Sequence, residues 1–345
     1  MSIRRLTLHS VRGLGMLLLT AAVFADFLSP TPPEEQNLEN FFAPPSRIHF
    51  FDAHGEFHLR PFIYPYELKD PLRAAYEENT GTRHPLIFFA EGWRYRFLGF
   101  VPASRHLVRG APGAFLYPLG ADKLGRNVLS RVLAGAKTSL LVVLTGITIY
   151  GMLGLAVGAV AGLRGGWVDS LLMRFSEFVL ALPALYLLLA LRALLPEKLS
   201  NWQAVLGGVG IIAAVTWPPM ARGVRGLILQ LRQATFVEAS RSLGCTHWQI
   251  FTRHMAPALL PFALTQSALA APIFLLGEVF LSFVGVGFGE VNESWGALLR
   301  DVQDLRIVTV FWWNLAPLAF VFATLLCLNV LSDRYREKEF VNLSL

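Results

Sequence analysis

His49, Asp52, His54 and His58 fall within one ten-residue string, HFFDAHGEFH. That density of imidazole and carboxylate suits a transition metal. The same string also has a plainer reading. Two apolar-aromatic runs flank Asp52-Ala53-His54-Gly55, which predicts a hairpin with a four-residue loop, polar rims and His49 opposite His58. A second chemical candidate is Glu278, alone in the apolar string LLGEVFLSF. A carboxylate in such a setting either lines a translocation path or bonds to neighbouring helices and holds a bundle together. Catalytic signatures are missing. Gly135-Ala136-Lys137-Thr138 lacks the glycine that precedes lysine in a phosphate-binding loop, and neither H-E-x-x-H nor G-x-S-x-G occurs. The chain therefore reads as a non-enzyme that binds no cofactor of its own.

The elements around these residues are mostly apolar. Of 345 residues 54% are hydrophobic and 16% charged, with a mean hydropathy of +0.49. Soluble domains carry roughly 25% charged residues, so this balance indicates an integral membrane protein. Runs at about 13–28, 140–163, 175–195, 205–221, 264–286 and 310–331 approach the roughly 20 residues of a membrane helix. The first is short and follows Arg4, Arg5 and Arg12. It reads as a first span or as a secretory leader ending near Val23-Phe24-Ala25. Trp217-Pro218-Pro219 predicts a kink near one end of the fourth run. Lys and Arg crowd the N-terminal tail, the connections after runs two and four, and the C-terminal tail. The short loops opposite hold only Lys198, Arg300 and Arg306. Positive-inside then places both termini in the cytoplasm, and the net charge of +6 needs no nucleic acid partner. The glycines of GITIYGMLGLAVGAVAGL, Gly154 and Gly158 among them, have the spacing of close helix packing. Cys245 and Cys327 fall on different elements and predict no bridge.

Residues 31–116 form an outer insertion. Its start is extended by Pro32, Pro33, Pro44 and Pro45, and EGWRYRFLGFVP near its end predicts a further strand pair. On the inner side, the stretch EASRSLGCTHWQIFTRHMAPALLP (238–261) is polar between apolar runs. Residues 222–243 contain no proline, so the fourth span continues as a helix into the cytoplasm. Gly244 then offers a left-handed cap. Thr246 and Gln249 have the spacing of a capping box that starts a second helix, and Pro257 and Pro261 end or kink it. Two uses fit such a knuckle: lying in the headgroups on Trp248, Ile250 and Phe251, or docking a partner.

Glu238, Ala239, Gly244 and Pro257 resemble the EAA loop of permease subunits of bacterial ABC importers, with Ser240 replacing the second alanine and Ala256 the usual leucine. YPLGADKLGRNVLSRVLAGAKTSL (117–140) resembles the segment before the second span in the dipeptide, oligopeptide and nickel branch. Gly120, Asp122, Gly125, Arg126 and Arg131 match, and Ala121 and Asn127 are variants. GGWVDSLLMR, LSFVGVG and SWGALL match further on. The resemblance implies an all-α, MetI-like permease of six spans in a bacterial inner membrane, its permease domain at 117–335 and a cytoplasmic tail at 336–345. Glu238, Ala239, Ser240, Arg241, Gly244, Thr246, Gln249 and Pro257 would form the ATPase-coupling loop. The implied partners are a second permease subunit, two ATP-binding subunits that consume the ATP, and an extracytoplasmic solute-binding protein for peptides or a related small solute. The alternative is a membrane-anchored ligand sensor with a cytoplasmic docking loop.

Overall fold

The computed structural model describes residues 2–71, 73–196, 199–285, 287 and 293–343, and side chains from Val11 to Arg334 within them apart from those of Asn201 and His247. Lys198 and Val286, used above for charge and for a span end, lie outside the described residues.

The chain begins with α1 (Ser2–Val23), broken at Phe24 from α2 (Ala25–Leu28). A β region follows: β1 (His49–Phe51), β2 (Phe57–Ile63), β3 (Tyr66–Asp70), β4 (Ala75–Glu78), β5 (His84–Phe97) and β6 (Val101–Gly110). One antiparallel sheet has the order β1-β2-β5-β6, and β3 pairs separately with β4. The long β5–β6 hairpin is the strand pair expected around EGWRYRFLGFVP. The first hairpin departs from its expected register: His49 faces Phe62, not His58, and Phe51 faces Phe57. Its loop runs from Asp52 to Glu56, closed by Asp52 N to Glu56 O at 3.0 Å. The added loop residue and an irregularity between His49 and Phe51 move every later pairing.

The helices then run α3 (Val128–Arg164), α4 (Gly166–Ala181), α5 (Ala184–Ala193), α6 (Asn201–Thr216), α7 (Pro218–Leu231), α8 (Thr235–Ser242), α9 (His247–Ile250), α10 (Ala256–Phe283), α11 (Trp295–Arg300), α12 (Leu305–Val310) and α13 (Ala316–Leu343). Asn127 starts α3 by accepting Leu129 N–H at 3.1 Å, and Gly165 ends it at φ +66°. The core lies where α3, α6, α7 and α10 meet, around Val142, Val209, Met220, Ile228, Phe274 and Leu275. Gly154, Gly158 and Gly162 form the face of α3 on which α7 rests. A Cβ at Gly158 would lie 2.5 Å from Ala221 O, and one at Gly162 2.9 Å from Ile228 Cβ. The glycine spacing thus serves close packing.

By length and composition, three helical stretches among the described residues can cross a membrane: Val128–Arg164, Trp248–Phe283 and Trp312–Arg334. Two bent pairs and the shorter apolar helix Val11–Val23 accompany them. The expected third span is not straight, since α4 and α5 meet at 99°. Pro183 removes a helical donor and holds Leu182 extended at ψ 138°. The pair α6–α7 bends by 52° at Trp217-Pro218, as its prolines predict.

Two expectations around the knuckle are corrected. The helix continuing span four does not run unbroken to Leu243. It turns at Arg232–Ala234, although no proline or glycine lies there, because the turn lets Val237 of α8 pack on Ile250 and Met255. Nor do Pro257 and Pro261 end the second helix. Phe251–Met255 forms a wider π turn that passes directly into α10, with Pro257 in the first turn and Pro261 inside. The widened turn closes with Ala256 N–H donating to Phe251 O, just ahead of Pro257, whose missing donor falls in the first turn of α10 where no intrahelical partner is needed.

Candidate functional site

The α8–α9 corner is built by backbone chemistry. α8 ends in a Schellman arrangement, with Gly244 N–H donating to Arg241 O at 2.9 Å and Cys245 N–H to Ser240 O at 3.1 Å. Gly244 has φ +82°, a left-handed conformation that costs a residue with a Cβ roughly 1–2 kcal/mol. The reciprocal box then starts α9: Thr246 N–H donates to Gln249 Oε1 at 2.8 Å, and Gln249 N–H to Thr246 Oγ1 at 3.3 Å. Buried Val237, Ile250 and Met255 fasten the inner side. The outer side is open, with Leu243 84% and Trp248 70% exposed. Glu238, Ala239, Arg241 and Pro257 are exposed and Ser240 half-buried, its hydroxyl donating to Phe236 O at 2.7 Å. Glu238 and Arg241 form no ion pair with each other among the described residues. A cavity of about 310 Å³ separates the corner from the end of α3, lined by Leu163, Arg164, Arg232, Val237, Arg241, Trp248, Ile250, Phe251 and Met255. The corner is a doubly capped ridge with exposed apolar residues.

Glu278 is fully buried. It accepts Ser139 Oγ at 2.9 Å and Ser282 Oγ at 3.0 Å, while Ser139 Oγ also accepts Trp295 N–H at 3.3 Å. The carboxylate therefore joins α3, α10 and α11 inside the bundle.

The three histidines take different partners. His49 Nε2 lies 3.2 Å from Glu78, and His54 is exposed. His58 Nε2 lies 3.1 Å from Asp52. Asp52, Glu56 and His58 bring potential ligand atoms within 4.8 Å of one another. Arg83 Nη1 stands 2.6 Å from Asp52 Oδ2 and 2.5 Å from His58 Nε2, so a fixed cation already occupies the approach to that pair. Asp52 also accepts His54 and Glu56 N–H, each at 2.9 Å. His58, the Glu56 amide and these further contacts hold its carboxyl at about 2, below the ordinary 3.8. A depressed carboxyl stabilises the fold above its unfolded value, and the contribution is lost as pH falls toward 2. Hydrogen-exchange protection of the His54 and Glu56 amides, corrected for intrinsic rate, should hold from pH 7 to 5 and decline below 4. Asp52→Asn should remove that decline along with most of the protection.

Sequence reading matched Asp122, Arg126 and Arg131 to a motif but found no partners for them. Asp122 is buried and accepts Leu124 N–H at 2.8 Å, Arg126 N–H at 2.9 Å and Arg126 Nε at 2.8 Å, and it also pairs with Arg131. Arg131 reaches Glu293 through Nε and Nη2, each at 3.0 Å, and Lys123 meets Asp301 at 2.6 Å. This cluster clamps the loop before α3 to 293–301. The i,i+4 pair Asp122/Arg126 was legible, but Glu293, 162 residues from Arg131, carried no local signal.

A bundle of long apolar helices with a capped corner defines a class of protein, the multi-pass membrane proteins. A family model described as "Binding-protein-dependent transport system inner membrane component" matches residues 154–337. The chain belongs to this family, and with it to the permease-type components of ABC transporters. It is 34% identical over 222 residues to the dipeptide transport system permease protein DppC of Bacillus subtilis, covering 63% of this chain and 66% of that one. The oligopeptide transport system permease protein OppC of Haemophilus influenzae is 35% identical over 218 residues, with 63% and 68% covered. The glutathione transport system permease protein GsiD of Pectobacterium atrosepticum is 31% identical over 219 residues, with 64% and 70% covered. The chain thus spans about two thirds of the length of the first of these relatives. Among solved structures, an inward-facing MetNI methionine ABC transporter matches at 19% identity and a TM-score of 0.44, covering 60% of this chain and 95% of that one.

Proposed function

We propose that this chain is the permease subunit of an ATP-driven importer for peptides or a related small solute. Six spans carry it: α1, α3, the bent pairs α4–α5 and α6–α7, the α9–α10 stretch and α13. Both termini and the α8–α9 corner face the cytoplasm, and the β region of 31–116 faces outward. A second permease subunit completes the path, two ATP-binding subunits hydrolyse ATP, and an extracytoplasmic binding protein delivers the solute. Glu238, Ala239, Ser240, Arg241, Gly244, Thr246, Gln249 and Pro257 form the coupling loop. The observation that carries this reading is the doubly capped corner at Gly244, because a segment fixed by its own backbone transmits a push where a loose loop would not. No catalytic group or cofactor is assigned to the chain itself.

The topology gives a test. In intact cells an impermeant thiol reagent should label Asp70→Cys and leave Cys245 unmodified until the membrane is opened. Labelling of Cys245 from outside sinks the orientation. The sensor alternative requires no ATPase, so co-purification of ATP-binding subunits with the intact chain separates the two readings.

A further inference from the structure

The β5–β6 hairpin lies against the outer end of the first span, and its contacts order it along that helix. Arg109 Nε donates to Pro30 O at 3.1 Å, and His106 Nδ1 lies 2.8 Å from Asp26 O. The ring of Phe97, opposite Val101, sits 5.2 Å from that of Phe24. Going down β6 from Arg109 to Val101 thus means going from Pro30 toward the apolar helix Val11–Val23. Phe89 beside Phe27, at 6.1 Å, and Phe97 beside Phe24 give the same direction on β5. The hairpin tip points back toward the span, not out into solvent. It crosses obliquely: five strand residues cover about 16 Å, whereas the two helical steps from Asp26 to Phe24 rise about 3 Å. The tip therefore lies near the level of Phe24, where the apolar helix ends.

What stands at that level is apolar. Leu98 is 58% and Phe100 73% exposed, with Val101 exposed beside them. Exposed Arg94, Arg96 and Arg105 lie just behind the tip. Two of the turn's amides bond within it, Gly99 N–H donating to Arg96 O at 3.1 Å and Phe100 N–H to Phe97 O at 3.2 Å. An unpaired backbone would be excluded from lipid, whereas a closed turn with an apolar cap and an arginine collar suits the boundary between acyl chains and phosphates.

We propose that Phe97–Val101 inserts into the outer leaflet beside the first span, with the arginines on the phosphates. The bilayer, and not a protein, covers this surface, so the hairpin fixes the outer β region against the membrane. The proposal rests on the first helix spanning the membrane and is independent of the coupling role of Gly244.

The test uses the full chain, assembled with its partner subunits in phospholipid bilayers, carrying Cys245→Ser and Cys327→Ser. Nitroxide labels are placed at Phe100→Cys, at Leu98→Cys and, as an aqueous control, at Thr80→Cys. The ratio of accessibility to oxygen over a water-soluble nickel chelate is read at each site. Phe100 and Leu98 should give a ratio several-fold above that at Thr80. A ratio equal to that of Thr80 places the tip in water and overturns the proposal. Low accessibility to both reagents means that a protein partner covers it, which also overturns it.

Discussion

Gly158→Leu should sharply lower the yield and thermal stability of the folded chain, while Gly226→Leu should leave both near wild type. At Gly158 an added Cβ already meets Ala221 O at 2.5 Å and Val224 Cβ at 2.8 Å, before any of the remaining carbons is placed. Neither Ala221 nor Val224 has room to yield, since both are fully buried in the α3–α7 contact. Overpacking typically costs about 1–3 kcal/mol and occasionally more, and a leucine against backbone and two fully buried neighbours belongs at the upper end, a large share of the roughly 5–15 kcal/mol that holds a domain together. Gly226 sits on α7 with no atom within 4 Å of an added Cβ, so the same substitution there controls for helix propensity and bulk. The measurement is the yield of monodisperse protein after detergent extraction, together with its thermal midpoint. Gly158→Ala should fall between wild type and Gly158→Leu.

Gly244→Val should act in the opposite way, sparing the fold and losing transport. No atom of the chain lies within 4 Å of an added Cβ at Gly244. The cost within the chain is therefore the left-handed backbone alone, about 1–2 kcal/mol, confined to an exposed corner. Yield and span insertion should stay near wild type. Relaxing φ away from +82° would break the bonds from Gly244 and Cys245 to the end of α8 and swing α9 relative to α8. If the corner transmits the ATPase stroke, transport by the reconstituted complex should fall by about tenfold or more, the factor that each 1.4 kcal/mol implies. Either the ATP-binding subunits should be lost on a column, or hydrolysis should continue without uptake. Gly244→Asn, which tolerates the left-handed region better, should retain more transport than valine. Full transport by Gly244→Val with normal subunit retention would leave the corner as a surface helix.

These two glycines also mark what could be read from the sequence. Both have local causes. Gly158 belongs to a repeat of small residues on one helix face, and Gly244 stands between a helical stretch and a T-x-x-Q box, so pattern alone located them. Residues whose roles depend on distant partners were less legible. Arg131 and Glu293 are 162 positions apart, and the fate of Glu278 depended on where Ser139 and Trp295 came to lie. The kink at Pro218 was legible, but the effects of the other prolines were not. Pro183 turns its helix by 99° because the preceding residue is extended, whereas Pro257 sits in the first turn of α10 and Pro261 within that continuing helix. The break at Arg232–Ala234 had no breaker residue to announce it, because tertiary packing of Val237 imposes it. In the β region, one extra loop residue displaced the register and separated His49 from His58.

The coupling claim is tested most directly at Leu243, the most exposed apolar residue of the corner, 84% open to its surroundings. A photo-reactive amino acid placed there, activated in native membranes, records what the ridge touches without requiring transport to work. A covalent adduct with an ATP-binding subunit, lost when Gly244→Val is combined with it, is the result the account predicts. An adduct with phospholipid alone would contradict it, since the ridge would then lie in the headgroups and have no partner to couple to.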